Sequence, residues 1–154
     1  MHNRRLIVGI GAITIPAVWL GMLIGVSFVA TPVKFEAHSL DLLTALEIGQ
    51  VTFSLFNKIE WGACSLLIAF IWMSRWPLIR TMLAAWVLFL ITVQSAWLLP
   101  VLNAYIESIP HGAQKPPSLE HSVYSAMETI KLVSLAAIAA MAISGNIRTS
   151  APLR

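Results

Sequence analysis

Three charged residues, Glu60, Glu128 and Lys131, lie inside long apolar stretches of the chain. A charge at bilayer depth costs about 2.5–3.5 kcal/mol on insertion scales, so each such group calls for a partner or a task. Two acids and one base in that setting suit the handling of a proton or cation, with Lys131 as counter-charge. His121, Tyr124, Glu128 and Lys131 follow at spacings of three, four and three, which puts them on one face of a helix. Asn57, Lys58 and Glu60 are neighbours in sequence but do not share one helix face. Gln94 and Ser95, with Ser27 and Thr31, are placed to complete an inward-facing polar cluster. The candidate ion- or solute-binding residues are therefore Glu60, Glu128, Lys131, Lys58, His121, Tyr124 and Gln94. The competing reading of the same set is a group of ion pairs and hydrogen bonds that only fixes helix register. Such bonds average about 0.6 kcal/mol in membranes.

The elements that must position these groups are hydrophobic helices. The chain has 154 residues, 58% hydrophobic and 11% charged, with a mean hydropathy of +0.80. A soluble domain carries about 25% charged residues, so this chain is expected to meet lipid over most of its surface. Four segments reach the roughly 20 apolar residues that a span needs: about 6–33, 51–74, 81–102 and 119–144. The expected fold is all-α, a single-domain integral membrane four-helix bundle. The apolar run Leu6–Ala30 exceeds the roughly 7–15 residues of a signal-peptide core and reads as a retained first helix. Arg4, Arg5, Arg75, Arg80, Arg148 and Arg154 fall at the two termini and the second loop. The positive-inside rule then places both termini in the cytoplasm of a multi-pass cell-membrane protein, of bacterial inner-membrane type. Glu60 and Glu128, each about nine residues in from the outer end of its helix, are expected roughly 13 Å deep.

Displaced by 68 residues, the chain matches itself at informative places. Ser27 meets Ser95, Pro32 meets Pro100, Glu60 meets Glu128, and Ile79-Arg80-Thr81 meets Ile147-Arg148-Thr149. The mechanical reading is one helical hairpin used twice, two tandem hairpins in a parallel-repeat arrangement, with sites at the repeat interface. Pro32 and Pro100 are expected to end their helices; the alternative is that each frees a carbonyl towards the polar cluster. Gly21 and Gly25 form a small-xxx-small pair that permits close helix packing within the bundle or between copies, with packing within the bundle the expectation.

Several classes are set aside. The basic residues mark topology and form no clustered face, so no nucleic-acid partner is expected. Cys64 is the only cysteine and is expected to be a buried, inert thiol. No two histidines fall at matching depth in facing spans, so no haem is expected, and the spacing of His38 and His121 is not that of a metal site. No cofactor and no catalytic motif are read. The expected partners are the lipid bilayer and a membrane-protein partner or a second copy of the chain.

The stretch SFVATPVKFEAHSLDLLTALEIGQVTFSLFNKIEW resembles small four-helix membrane proteins of the transmembrane protein 205-like group. Ser27, Phe28, Val29, Pro32, Gly49, Gln50 and Phe56 carry the resemblance, over about 35 residues. The family's Phe-Gly step is Ile48-Gly49 here, and His38 does not align clearly with the family's loop histidine. The resemblance implies four spans and no particular activity. The functional expectation is a protein that binds or moves a proton, ion or small polar solute through an outward-facing polar pocket. Its alternatives are a non-catalytic accessory or assembly subunit, and a membrane enzyme acting on a lipophilic substrate through Glu128, His121 and Tyr124.

Overall fold

The structure is a computed structural model that describes residues 2–74, 76–109 and 119–150, with side chains for 7–73, 76–109 and 119–145. Within these residues the regular structure is entirely helical and forms four long rods. The first rod is α1 (His2–Leu23), a π-helical segment Ile24–Ala30, the short α2 (Thr31–Val33) and a 3₁₀ turn Lys34–Glu36. The second rod is α3 (Leu42–Ser74). The third is α4 (Leu78–Val93), a second π segment Gln94–Leu98, and α5 (Leu99–Glu107). The fourth is α6 (Leu119–Ser150). All four rods are long and apolar enough to cross a membrane.

The second rod begins earlier than the hydrophobic run suggests. Asp41 Oδ1 accepts a bond from the Thr44 backbone N–H at 3.3 Å, a helix-capping contact. Ala45 and Gly49, one turn apart, are buried behind it. A cap and a packed small-residue face are enough to wind residues 42–50 into the helix. Pro77 opens the third rod from an extended conformation (φ −56°, ψ 145°), where its missing N–H costs nothing.

Pro32 and Pro100 do not end their helices: the rods run on to Glu36 and Glu107. A proline leaves the carbonyl four residues back without its donor and crowds the preceding turn. Each rod meets this with a π segment that stops two residues before the proline. A π turn carries an extra residue and so takes up the crowding without a break. The two π segments overlap under the same 68-residue displacement, and so do the buried pairs Trp19/Val87, Leu23/Ile91, Phe56/Tyr124, Glu60/Glu128 and Leu67/Leu135.

The first rod packs on α3 and α6, and α4 packs on the same two helices. Along α6, Tyr124 and Met127 belong to one apolar cluster, and Leu135 and Ile138 to another. Glu128 and Lys131 lie between them. Polarity is inverted relative to a water-soluble protein: Lys131, Gln94, Glu60 and Glu128 are among the most buried side chains, while Trp72 is 91% and Leu78 75% exposed. Gly11 leaves the space that the Phe70 ring fills. Gly21 and Gly25, by contrast, are exposed with no heavy atom near an added Cβ. The expected close packing at this pair inside the bundle is absent, because the helix turns both glycines outward. At the opposite end from Lys34, Arg80 is buried, donates to the Met141 carbonyl at 2.7 Å and stacks on Trp76 at 4.8 Å.

Candidate proton and ion site

Glu60, Glu128 and Lys131 converge. Lys131 Nζ lies 2.6 Å from Glu60 Oε1 and 2.7 Å from Glu128 Oε1, and all three side chains are sealed from solvent at 0%, 1% and 0% exposure. Glu128 and Lys131 are one turn apart on α6, so helix geometry alone pairs them. Glu60 comes from α3 and is held there by Lys131 and by Trp19 Nε1, which donates to Oε1 at 3.2 Å. Gln94 Nε2 donates to Glu128 Oε1 at 2.9 Å, and Ser27 Oγ donates to Glu128 Oε2 at 2.7 Å.

Every rod therefore reaches the cluster. The two π segments supply Ser27 and Gln94, the donors to Glu128. An inserted residue rotates the helix face that follows it, and π turns recur where a side chain has to be re-aimed. Glu60 lies 18 residues from the start of α3 and 14 from its end, about 27 and 21 Å along the axis. It is thus near the middle of its rod and deeper into it than the nine residues expected. The common depth of the two acids rests on their shared lysine.

The two carboxylates are unequal. Both oxygens of Glu128 accept hydrogen bonds. Glu60 Oε2 is buried with no partner, as is Gln94 Oε1 in the same network. Fully ionised, two carboxylates against one ammonium leave a net charge of −1 in a sealed space. A buried uncompensated carboxylate is costly enough that it is neutralised instead. One added proton, or one monovalent cation, removes the excess. A proton on Glu60 Oε2 also adds a donor to a network that holds two acceptors without one.

Among the described residues, Glu60 and Glu128 are not part of the lining of the adjacent pocket. The pocket lies nearer the start of α6, with a cavity volume of about 40 Å³. Lys34, Gln50, Phe53, Asn103, His121 and Tyr124 are among its lining residues. Tyr124 links the two regions. It precedes Glu128 by one turn, packs on Phe53 at 4.9 Å, and its buried hydroxyl has no hydrogen-bond partner.

Of the residues singled out from sequence, Glu60, Glu128, Lys131 and Gln94 meet directly, with Ser27 beside them. His121 and Tyr124 lie in the adjoining pocket. Lys58 does not join: it is exposed, because two residues of helix carry it roughly 200° around from Glu60. Thr31 bonds the Val26 carbonyl of its own rod at 2.8 Å. Ser95 forms a satellite, accepting from Trp61 at 2.9 Å and donating to Asn57 Oδ1 at 2.8 Å. Sequence reasoning missed Trp19 and Lys34. A signal for Trp19 existed: a tryptophan inside a spanning helix carries an indole N–H that needs an acceptor once buried.

Among the described residues, no three His, Cys, Asp or Glu side chains converge as metal ligands do. Comparison with protein-family models, with curated proteins and with solved structures finds no match to this chain.

Proposed function

We propose that this chain is an integral membrane four-helix protein that binds and moves protons through the Glu60–Glu128–Lys131 cluster. The observation that carries the reading is the charge imbalance: two buried carboxylates share one ammonium, and one carboxylate oxygen has no partner. The membrane setting is supported by four apolar rods with charged groups inside and large hydrophobic residues outside. The arginine distribution supports cytoplasmic termini in a multi-pass cell-membrane protein and an outward-facing pocket. The π segments and buried positions repeated at 68 residues support two tandem hairpins in parallel arrangement, with the cluster at their interface.

A proton fits this site better than a metal cation or a larger solute. The adjoining pocket carries Lys34, whose ammonium repels an approaching metal cation, while a proton passes between titratable groups without a vacant path. His121 and Tyr124 lie between the mouth and Glu128 in helix order. The resemblance to the transmembrane protein 205-like group adds four spans to this proposal and no chemistry.

The test is proton uptake into liposomes holding the purified protein and a trapped pH-sensitive dye, driven by a potassium diffusion potential. Wild type is expected to acidify the lumen, and Glu60→Gln and Glu128→Gln to fall to the level of empty liposomes. Wild-type flux unchanged in both variants overturns the assignment of the acids. A second reading has one observation in its favour: Lys131 bridges the rods through both acids, as a purely structural lock in an accessory subunit would. That reading predicts no protein-dependent flux at all and a stoichiometric partner on mild detergent extraction.

A further inference from the structure

The pocket next to the cluster has a composition that proton handling does not explain. Its walls are apolar, including Phe35, Leu46, Phe53, Leu99 and Leu102. Lys34 turns into this setting. Its Nζ lies 5.0 Å from the Phe35 ring centroid and 5.9 Å from that of Phe53, and it occupies the space where a Cβ on Gly49 would stand. Among the described residues, no carboxylate lies within ion-pair distance of it. The loop acids Glu36, Glu47, Glu107 and Glu120 are near in sequence to the elements that line the pocket, yet none is used. His121 puts a second basic side chain on the same wall.

An ammonium turned into an apolar pocket without a counter-ion is half of an ion pair. Aromatic faces attract it, but they do not neutralise it. The missing partner is an anion, and the apolar walls require that anion to carry an apolar tail. The size of the space sets a further limit. A cavity of about 40 Å³ admits no more than the small charged group itself, far less than the roughly 300–1,000 Å³ of a site enclosing a whole small-molecule ligand. The rest of the ligand must stay outside, where Phe35, 46% exposed, and Val33, 53% exposed, continue the apolar surface.

We infer that this pocket binds an amphiphile with one anionic head group, a carboxylate or a phosphate, whose tail stays in the bilayer. Lys34 is its charge partner. The head group is then held beside Tyr124, one turn of α6 from Glu128. The inference stands on the pocket alone and survives the loss of the proton-transport reading.

The experiment is native mass spectrometry of the purified full chain in detergent, titrated separately with dioleoyl phosphatidylglycerol, oleate and dioleoyl phosphatidylcholine. One tight adduct is expected with phosphatidylglycerol, with oleate or with both, and the preferred anion identifies the source of the head group. Phosphatidylcholine is expected to bind more weakly. Lys34→Gln is expected to weaken the anionic adduct at least about tenfold, the loss expected for a hydrogen bond to a charged group. Gly49→Ala supplies an independent variant. It keeps every charge and displaces only the flexible tip of Lys34, so the fold is retained while binding weakens. Lys58→Gln, a change of exposed charge outside the pocket, is expected to bind as wild type does. Equal binding of phosphatidylcholine, or an anionic adduct unaffected by Lys34→Gln and Gly49→Ala, overturns the inference.

Discussion

Replacing Lys131 by methionine removes the one cation from a sealed site while nearly keeping its volume. The two Oε1 atoms it holds are no more than 5.3 Å apart, the sum of their distances to Nζ. Two unit charges at that separation would repel by about 3 kcal/mol at an effective dielectric of about 20, which favours a proton on one of them. Removing one partner of a buried ion pair costs about 3–5 kcal/mol in soluble proteins, so Lys131→Met is expected to destabilise by an amount in that range. The partner substitution works in the opposite direction. Glu60→Gln leaves Lys131 and Glu128 as a neutral pair with Ser27 and Gln94 still in place, and it is expected to stay within about 1 kcal/mol of wild type. With one carboxyl already protonated, Lys131→Met/Glu60→Gln leaves the same single uncompensated carboxylate and is expected to lie within about 1 kcal/mol of Lys131→Met alone. Unfolding by sodium dodecyl sulfate in mixed micelles, followed by tryptophan fluorescence, reads all four proteins. Trp19 reports directly, since its indole N–H is bonded to Glu60. Lys131→Met within about 1 kcal/mol of wild type, or a double variant more stable than the single one by about 3 kcal/mol, refutes the reasoning.

Other substitutions separate the parts of the site in the same unfolding assay. Ser27→Ala removes one donor from Glu128 and is expected to cost about 0.6 kcal/mol, the membrane average for such bonds. Gln94→Leu removes a fully buried donor to the same carboxylate and is expected to cost about 1.5–3 kcal/mol; a cost below that of Ser27→Ala contradicts the geometry. Gly21→Ala and Gly25→Ala meet no atom in the bundle and are expected to leave stability unchanged or raise it by up to about 1 kcal/mol each. A clear loss shows instead that this face is covered by another chain. Gly11→Ala forces the Phe70 ring to move and is expected to cost about 1–3 kcal/mol, with Phe70→Leu in the same chain restoring part of it.

Much of the site was legible because a charge inside a long apolar helix is costly to bury without a partner. Glu60, Glu128 and Lys131 stood out for that reason, and a bundle of four helices leaves such groups few places to go but together. Helix periodicity placed Tyr124 on the Glu128 face, but Lys58 is among the sequence candidates although two residues of helix turn it away from Glu60, and it is exposed. The π segments were not legible, since a proline announces a disturbed hydrogen bond and not which way the chain absorbs it. Without them, Gln94 and Ser95 look equivalent as donors; the second π segment sends Gln94 to Glu128 and Ser95 to Asn57. Trp19 was passed over because tryptophan in a span reads as an interface or packing residue. Gly21 and Gly25 show the reverse error: a motif permits close packing, but only the rotation of the helix decides whether a neighbour is there. Nothing in the spacing of Lys34 announces the aromatic pocket that all four rods build around it.

The central claim is that the cluster holds one proton beyond a single ion pair. Infrared spectroscopy of the reconstituted protein at neutral pH measures this through the carbonyl stretch of a protonated carboxyl, which a carboxylate lacks. The account predicts such a band in wild type, shifted by exchange into heavy water, and its loss in Glu60→Gln, where Lys131 and Glu128 neutralise each other. A wild-type spectrum with no protonated-carboxyl band, or a band that persists unchanged in both Glu60→Gln and Glu128→Gln, contradicts it.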